Sequence, residues 1–140
     1  MMRQFESGAV RDDNTGKGRF DLIPFEIIAH LCANQGDRFL SYLSFFQDEP
    51  AVRHLDQCII TLIQYWHSPH QALLDLARHA EEGAKKYGED NWQKGIPLNV
   101  YVDSAARHYC QWRTSGDRIH LTSCLWNVIC ARWTFNHRKD

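Results

Sequence analysis

One segment constrains the fold of this chain more than any other. In SPHQALLDLARHAEEGAKKYG (68–88), Ser68 stands where a helix N-cap belongs, Pro69 takes the first helical position and Gly88 marks the stop. Between them the apolar residues recur at helical spacing, and the same period organises most of the chain. Phe25, Ile27, Ile28, Leu31 and Cys32 follow Pro24. Further helices are expected over 37–46, 51–66, 99–112 and 117–135. No stretch alternates apolar and polar residues as a half-buried strand does. The run CIITLI (58–63) has strand-forming residues but lies inside a longer helical pattern, and length decides for helix. The expected fold is all-α, a helical bundle of about six helices with mostly short connections.

The two halves of that bundle resemble each other. At an offset of 66, Asp37 aligns with Asp103, Phe46 with Trp112, His54 with His120, Leu55 with Leu121, Cys58 with Cys124 and Ile63 with Ile129. Either a helical hairpin was duplicated, or two amphipathic helix pairs share a pattern by chance. The expected organisation is one domain over 1–140. Residues 1–19, polar and glycine-rich, form an irregular N-terminal arm. Residues 20–66 form the first helical half, and 67–135 the second, which bears the elaborate loop.

Bulk properties exclude several classes. The formal net charge is -1, so no overall electrostatic case exists for nucleic acid or a membrane surface as partner. No run approaches the ~18 apolar residues of a membrane-spanning helix. MMRQFESGAVRDDNTGKG lacks the apolar core of a signal peptide, which sets a cytoplasmic expectation. Cys32, Cys58, Cys110, Cys124 and Cys130 are odd in number, form no C-x-x-C pair and lie in apolar surroundings, so buried reduced thiols are expected. Neither H-E-x-x-H, nor G-x-S-x-G, nor a His-Asp dipeptide occurs.

The chemistry-bearing residues collect in the second half. Glu81 and Lys85 are four apart, as are Glu82 and Lys86, in the favourable orientation for surface ion pairs worth ~0.2–0.5 kcal/mol each. They also satisfy a second pattern, since carboxylates can hold a hard divalent cation while lysines meet phosphate oxygens. The helix runs into a loop with Asn91 and Trp92. Asp103 and Arg107, then Ser104 and His108, lie one turn apart on the next helix. Asp117, His120 and Asn127 form a polar stripe on an otherwise apolar helix. Such a stripe requires partners, either an interhelical network or a ligand. In the arm, Gly16-Lys17-Gly18-Arg19 can bring amides and two cations to an anion, but it lacks the spacing of a P-loop.

Together, GAVRDDNTGKGRFDLIP, LLDLARHAEEGAKKYGEDNWQKGIPL, YVDSAARHYCQW and HLTSCLWNVICARW resemble the phage and prophage family named after a dATP/dGTP diphosphohydrolase N-terminal domain. The likeness covers the arm and roughly residues 70 to 135. It includes Lys17, Arg19, His79, Glu81, Lys86, Asn91, Trp92, Asp103, Arg107, Trp126 and Asn127. The resemblance implies hydrolysis of a deoxynucleoside triphosphate, dATP or dGTP, to monophosphate and pyrophosphate. The family is similar to the all-α MazG-like pyrophosphohydrolases, whose helix-borne carboxylates hold Mg²⁺ or Mn²⁺ and which assemble as dimers or tetramers. The chain departs from their E-x-x-E and E-x-x-D pairs, for Glu81 and Glu82 are followed by Lys85, and Asp117 by His120.

Carried onto this sequence, the resemblance implies a cation held by Glu81, Glu82 and Asp103, with Glu81, Asp103 and His120 at the reacting centre. Lys17, Arg19, Lys86 and Arg107 neutralise the triphosphate. Trp92 stacks on the base, and Asn91 or Asn127 reads its edge. The expected partner is a nucleoside triphosphate, with a homo-oligomer as the assembly and the host cytoplasm as the compartment of a phage-encoded protein. Two alternatives stay open: a nucleotide-binding module without turnover, and a phage-encoded interaction protein.

Overall fold

The computed structural model describes residues 2–12 and 15–137. Its central element is the last helix, α6 (Arg118–His137), which buries Leu121, Cys124, Leu125, Asn127, Val128, Cys130, Ala131 and Thr134. These residues are apolar or small and face all round the helix, as only a helix surrounded by others tolerates. Helix α5 (Leu98–Ser115) forms the most extensive pairing with it, and α3 (Val52–Ile63) and α4 (Pro69–Tyr87) pack on it as well. Helices α1 (Phe25–Asn34) and α2 (Phe39–Asp48) complete the bundle, α2 lying against α1, α3 and α5. The fold is all-α, as expected.

Local chemistry sets the helix ends. Ser68 Oγ accepts from the Gln71 N–H at 3.2 Å, with Pro69 in the first turn. Gly88 ends α4 with φ +98°, in the left-handed region where a side chain is strained. Gly116 closes α5 in the same way at φ +74°, so α5 extends through Ser115, beyond the expected end at residue 112. The core joins both halves. Phe39 stacks on Tyr109 with centroids 4.4 Å apart, and Leu55, Leu62, Leu121 and Leu125 are fully buried, each worth ~1.5–3 kcal/mol. Residues matched by the internal likeness take matching places: Leu55 and Leu121, and Cys58 and Cys124, are all fully buried on two helices that touch.

The arm differs from expectation. It carries a hairpin, β1 (Met2–Gln4) paired antiparallel with β2 (Val10–Asp12). Strands of three residues show no period a sequence can display. The turn between them depends on Gly8 at φ +90°, its N–H donating to Phe5 O at 2.9 Å. Single 3-10 turns at Phe20–Leu22 and Asn91–Gln93 are equally short. All five thiols are free; Cys58, Cys124 and Cys130 are buried, whereas Cys32 and Cys110 are half-buried. Among the described residues no helix is long and apolar enough to cross a membrane.

Candidate functional site

The hairpin does not hang free. The Asn91 side chain meets the Val10 backbone from both sides: Val10 N–H donates to Oδ1 at 2.7 Å, and Nδ2 donates to Val10 O at 2.8 Å. Asn91 thus supplies β2 with the pair of bonds a neighbouring strand would give. It is buried, and both its oxygen and its nitrogen, expected at a base edge, are engaged by the hairpin. Tyr101 Oη holds the same loop by donating to Trp92 O at 3.1 Å. Lys86 Nζ reaches both carboxylate oxygens of Asp12 at 2.8 and 2.9 Å, which lowers the Asp12 pKa and raises that of Lys86. The expected Glu82–Lys86 pair is therefore replaced. Lys85 takes both acids instead, Glu82 at 3.4 Å and Glu81 at 3.8 Å.

Between hairpin, α4, α5 and α6 lies a cavity of about 350 Å³, within the range of small-molecule sites. Its cations are Arg3, Arg11, Lys17, Lys86 and Arg107. Arg107 is paired with Asp103 at 3.3 Å and donates to Ser104 Oγ at 3.3 Å. Arg11 donates to the same hydroxyl at 3.1 Å and lies over the Tyr101 ring at 5.5 Å. Two guanidiniums thus converge on one neutral oxygen. Burial lowers the pKa of both, and for Arg107 Asp103 opposes the shift. Among the described residues no carboxylate pairs with Arg11. Arg3 sits directly opposite Arg11 in the ladder, and like charges in that position repel. The arrangement is short of negative charge.

The other wall is aromatic. Trp92 meets Trp126 edge to face at 6.0 Å and Trp133 at 5.0 Å, and His79 tilts against Trp126 at 5.8 Å. His108 lines the cavity with its Nδ1 3.1 Å from Nδ1 of His120. Burial, then Arg107 and His120, bring the His108 pKa down to about 3, so it is a neutral ring at pH 7. Asn127, 2% exposed, donates from Nδ2 to Ser123 O at 2.8 Å.

Of the expected site residues, the structure brings Lys17, Glu82, Lys86, Asn91, Trp92, Asp103, Arg107 and Asn127 to this cavity. Three lie off its lining. Glu81 is 68% exposed beside Lys85, and His120 stands behind His108. Arg19 pairs with Asp21 at 2.7 Å beside an adjoining hollow. Arg3 and Arg11 escaped the sequence reading because their placement depends on a hairpin with no periodic signature. Trp126 and His108 carried a signal, a polar and aromatic stripe on α5 and α6.

The carboxylates expected to hold a divalent cation are not gathered. Glu81 and Glu82 are 68% and 76% exposed and face Lys85. Asp103 accepts from the Phe20 N–H at 3.1 Å and is held by Arg107. Among the described residues no group of three or more His, Cys, Asp or Glu can hold a metal ion. A resident cage of Glu81, Glu82 and Asp103 does not fit this arrangement. Glu82, Asp103 and Asp12 do line the cavity separately.

Comparison with known proteins gives one family. A family model described as dATP/dGTP diphosphohydrolase, N-terminal, matches residues 51–140, the region from α3 onward. No curated protein and no solved structure matches the chain.

Proposed function

The chain belongs to the dATP/dGTP diphosphohydrolase N-terminal family, and from that premise we propose that its cavity binds a deoxynucleoside triphosphate and hydrolyses it to monophosphate and pyrophosphate. The convergence of Arg11 and Arg107 on Ser104 carries the reading. Two partly desolvated guanidiniums with one carboxylate between them require an anion, and a guanidinium fork suits phosphate oxygens. Lys86, Lys17 and Arg3 extend that charge along a polyphosphate. Trp126, Trp92 and His79 supply aromatic faces and edges against which the base packs.

In this reading the substrate is the metal–nucleotide complex. Mg²⁺ is commonly bound through substrate phosphates and one or two carboxylates, and Mg²⁺ or Mn²⁺ enters on the triphosphate. The chain's own residues do the remainder. Arg11 and Arg107 hold the phosphates and stabilise charge developing on the pyrophosphate leaving group. Asp103, fixed by Arg107, takes the proton of the water that attacks the α-phosphorus as the bond to the leaving oxygen breaks. His120 acts through its contact with His108 as a positioning residue.

A second reading, binding without turnover, is favoured by one observation: the dispersal of Glu81, Glu82 and Asp103. One experiment separates the two. Each common NTP and dNTP is incubated with the protein, with and without Mg²⁺ or Mn²⁺, and the products are resolved. A metal-dependent monophosphate with pyrophosphate is the expected result, with dATP or dGTP preferred. Binding with no product in any condition supports the module without turnover. Neither binding nor product removes both readings.

A further inference from the structure

Four buried side-chain polar atoms among the described residues have no hydrogen-bond partner, and of these only Asn127 Oδ1 belongs to a residue lining the cavity. The amide orientation follows from its surroundings. Ser123 O, one turn back on α6, can only accept, so the nitrogen must face it, as the 2.8 Å contact shows; the oxygen is the atom left over. An acceptor buried without a donor is unfavourable, and here its residue is one of those that line the cavity.

The surroundings restrict which donor answers it. Arg3, Arg11, Lys17, Lys86 and Arg107 line the same cavity with Asp12, Glu82, Glu89 and Asp103. Since Asp12 and Asp103 are already paired with Lys86 and Arg107, a cationic ligand group is disfavoured. The adjacent residue is Trp126, which tilts against His79 at 5.8 Å, a wall suited to a flat neutral ring. A neutral N–H on a planar heterocycle satisfies both conditions. We infer that Asn127 Oδ1 accepts a hydrogen bond from the exocyclic amine of the nucleobase, and that the cavity selects amino-bearing bases by this contact. The inference rests on the nucleotide reading above; between the two asparagines expected at the base edge it assigns the role to Asn127, and it adds the ring substituent that sets specificity.

The test needs two nucleotide pairs that differ only in that amine. They are dATP against the deoxynucleoside triphosphate of unsubstituted purine, and dGTP against dITP. Calorimetric affinities are measured with Mg²⁺ on the full chain and on Asn127→Leu, which is similar in size and lacks the acceptor. Inorganic tripolyphosphate serves as the probe without a base. The wild-type chain is expected to bind the amino member of at least one pair roughly tenfold or more tightly, the usual effect of leaving a buried acceptor unpaired. Asn127→Leu should bring that pair within about twofold while tripolyphosphate binds as before. Wild-type affinities equal within about twofold in both pairs overturn the inference, as does a preference that survives in Asn127→Leu. The wild-type comparison stands even if the variant fails to fold. Failure of every nucleotide and of tripolyphosphate to bind overturns the nucleotide reading itself; binding without amine discrimination overturns only the role of Asn127.

Discussion

Arg11 places a guanidinium against Ser104 and Tyr101 with Arg3 opposite it in the ladder, an arrangement better suited to a ligand than to stability. Arg11→Met should therefore leave the melting temperature unchanged or raise it, while nucleotide affinity falls about tenfold or more. Thermal melts and calorimetry on the same samples check both halves of that expectation. Among the acids, Asp103→Asn should abolish turnover with the fold intact, whereas Glu81→Gln should keep near wild-type rates because Glu81 lies off the cavity. Product release from dATP measures both. His108 adds a pH dependence. Its folded pKa, about 3, lies below the unfolded value near 6.5, so between these limits the unfolded chain binds more protons. Stability is then complete above pH 6.5 and falls as the pH drops toward 3, by at most about 1.4 kcal/mol per pH unit for this one proton. Denaturant melts at pH 7 and pH 5 should differ in that direction, and less so in His108→Gln. Much at this scale was legible in the sequence: Lys86, Asp103, Arg107 and Asn127 could be singled out by helical spacing. The role of Asn91 could not, because nothing local reveals that Val10, far away in the chain, occupies both ends of its amide.

Among the elements, the helices were readable because each has a long period and marked ends, as Ser68, Pro69 and Gly88 show for α4. The hairpin was not, since it is specified by Asn91 and Gly8 rather than by its own pattern. That dependence has a measurable consequence. Asn91→Ala should cost about 1 kcal/mol or more by leaving the half-buried Val10 groups without their partner, and hydrogen exchange at the Val10 amide should become faster. Nucleotide affinity should fall with it, because Arg3 and Arg11 ride on the same two strands. Ser68→Ala provides the contrast. Loss of that cap should cost about 1 kcal/mol without changing affinity, since Ser68 does not line the cavity.

Across the whole molecule, the family match begins at residue 51, yet Arg3, Arg11 and Lys17 reach the cavity from before it. The helices of the matched region build three walls, and the arm closes the fourth with positive charge. The net charge of -1 concealed this, because composition averages over a surface on which the cations converge at one place. Nucleotide affinity should accordingly weaken as salt is raised, despite an overall charge of the same sign as the ligand. The internal likeness of the two halves was legible as a pattern, and its matched positions share burial at Leu55 and Leu121 and at Cys58 and Cys124. Only one half is lengthened into the loop that Asn91 joins to the hairpin. The most direct test of the triphosphate site is a calorimetric titration of dATP and dGTP, with Mg²⁺, into the wild-type chain and Arg11→Met at matched stability. Binding by the wild type that weakens about tenfold or more in the variant is the predicted result. Equal binding by both proteins, or none by either, would contradict it.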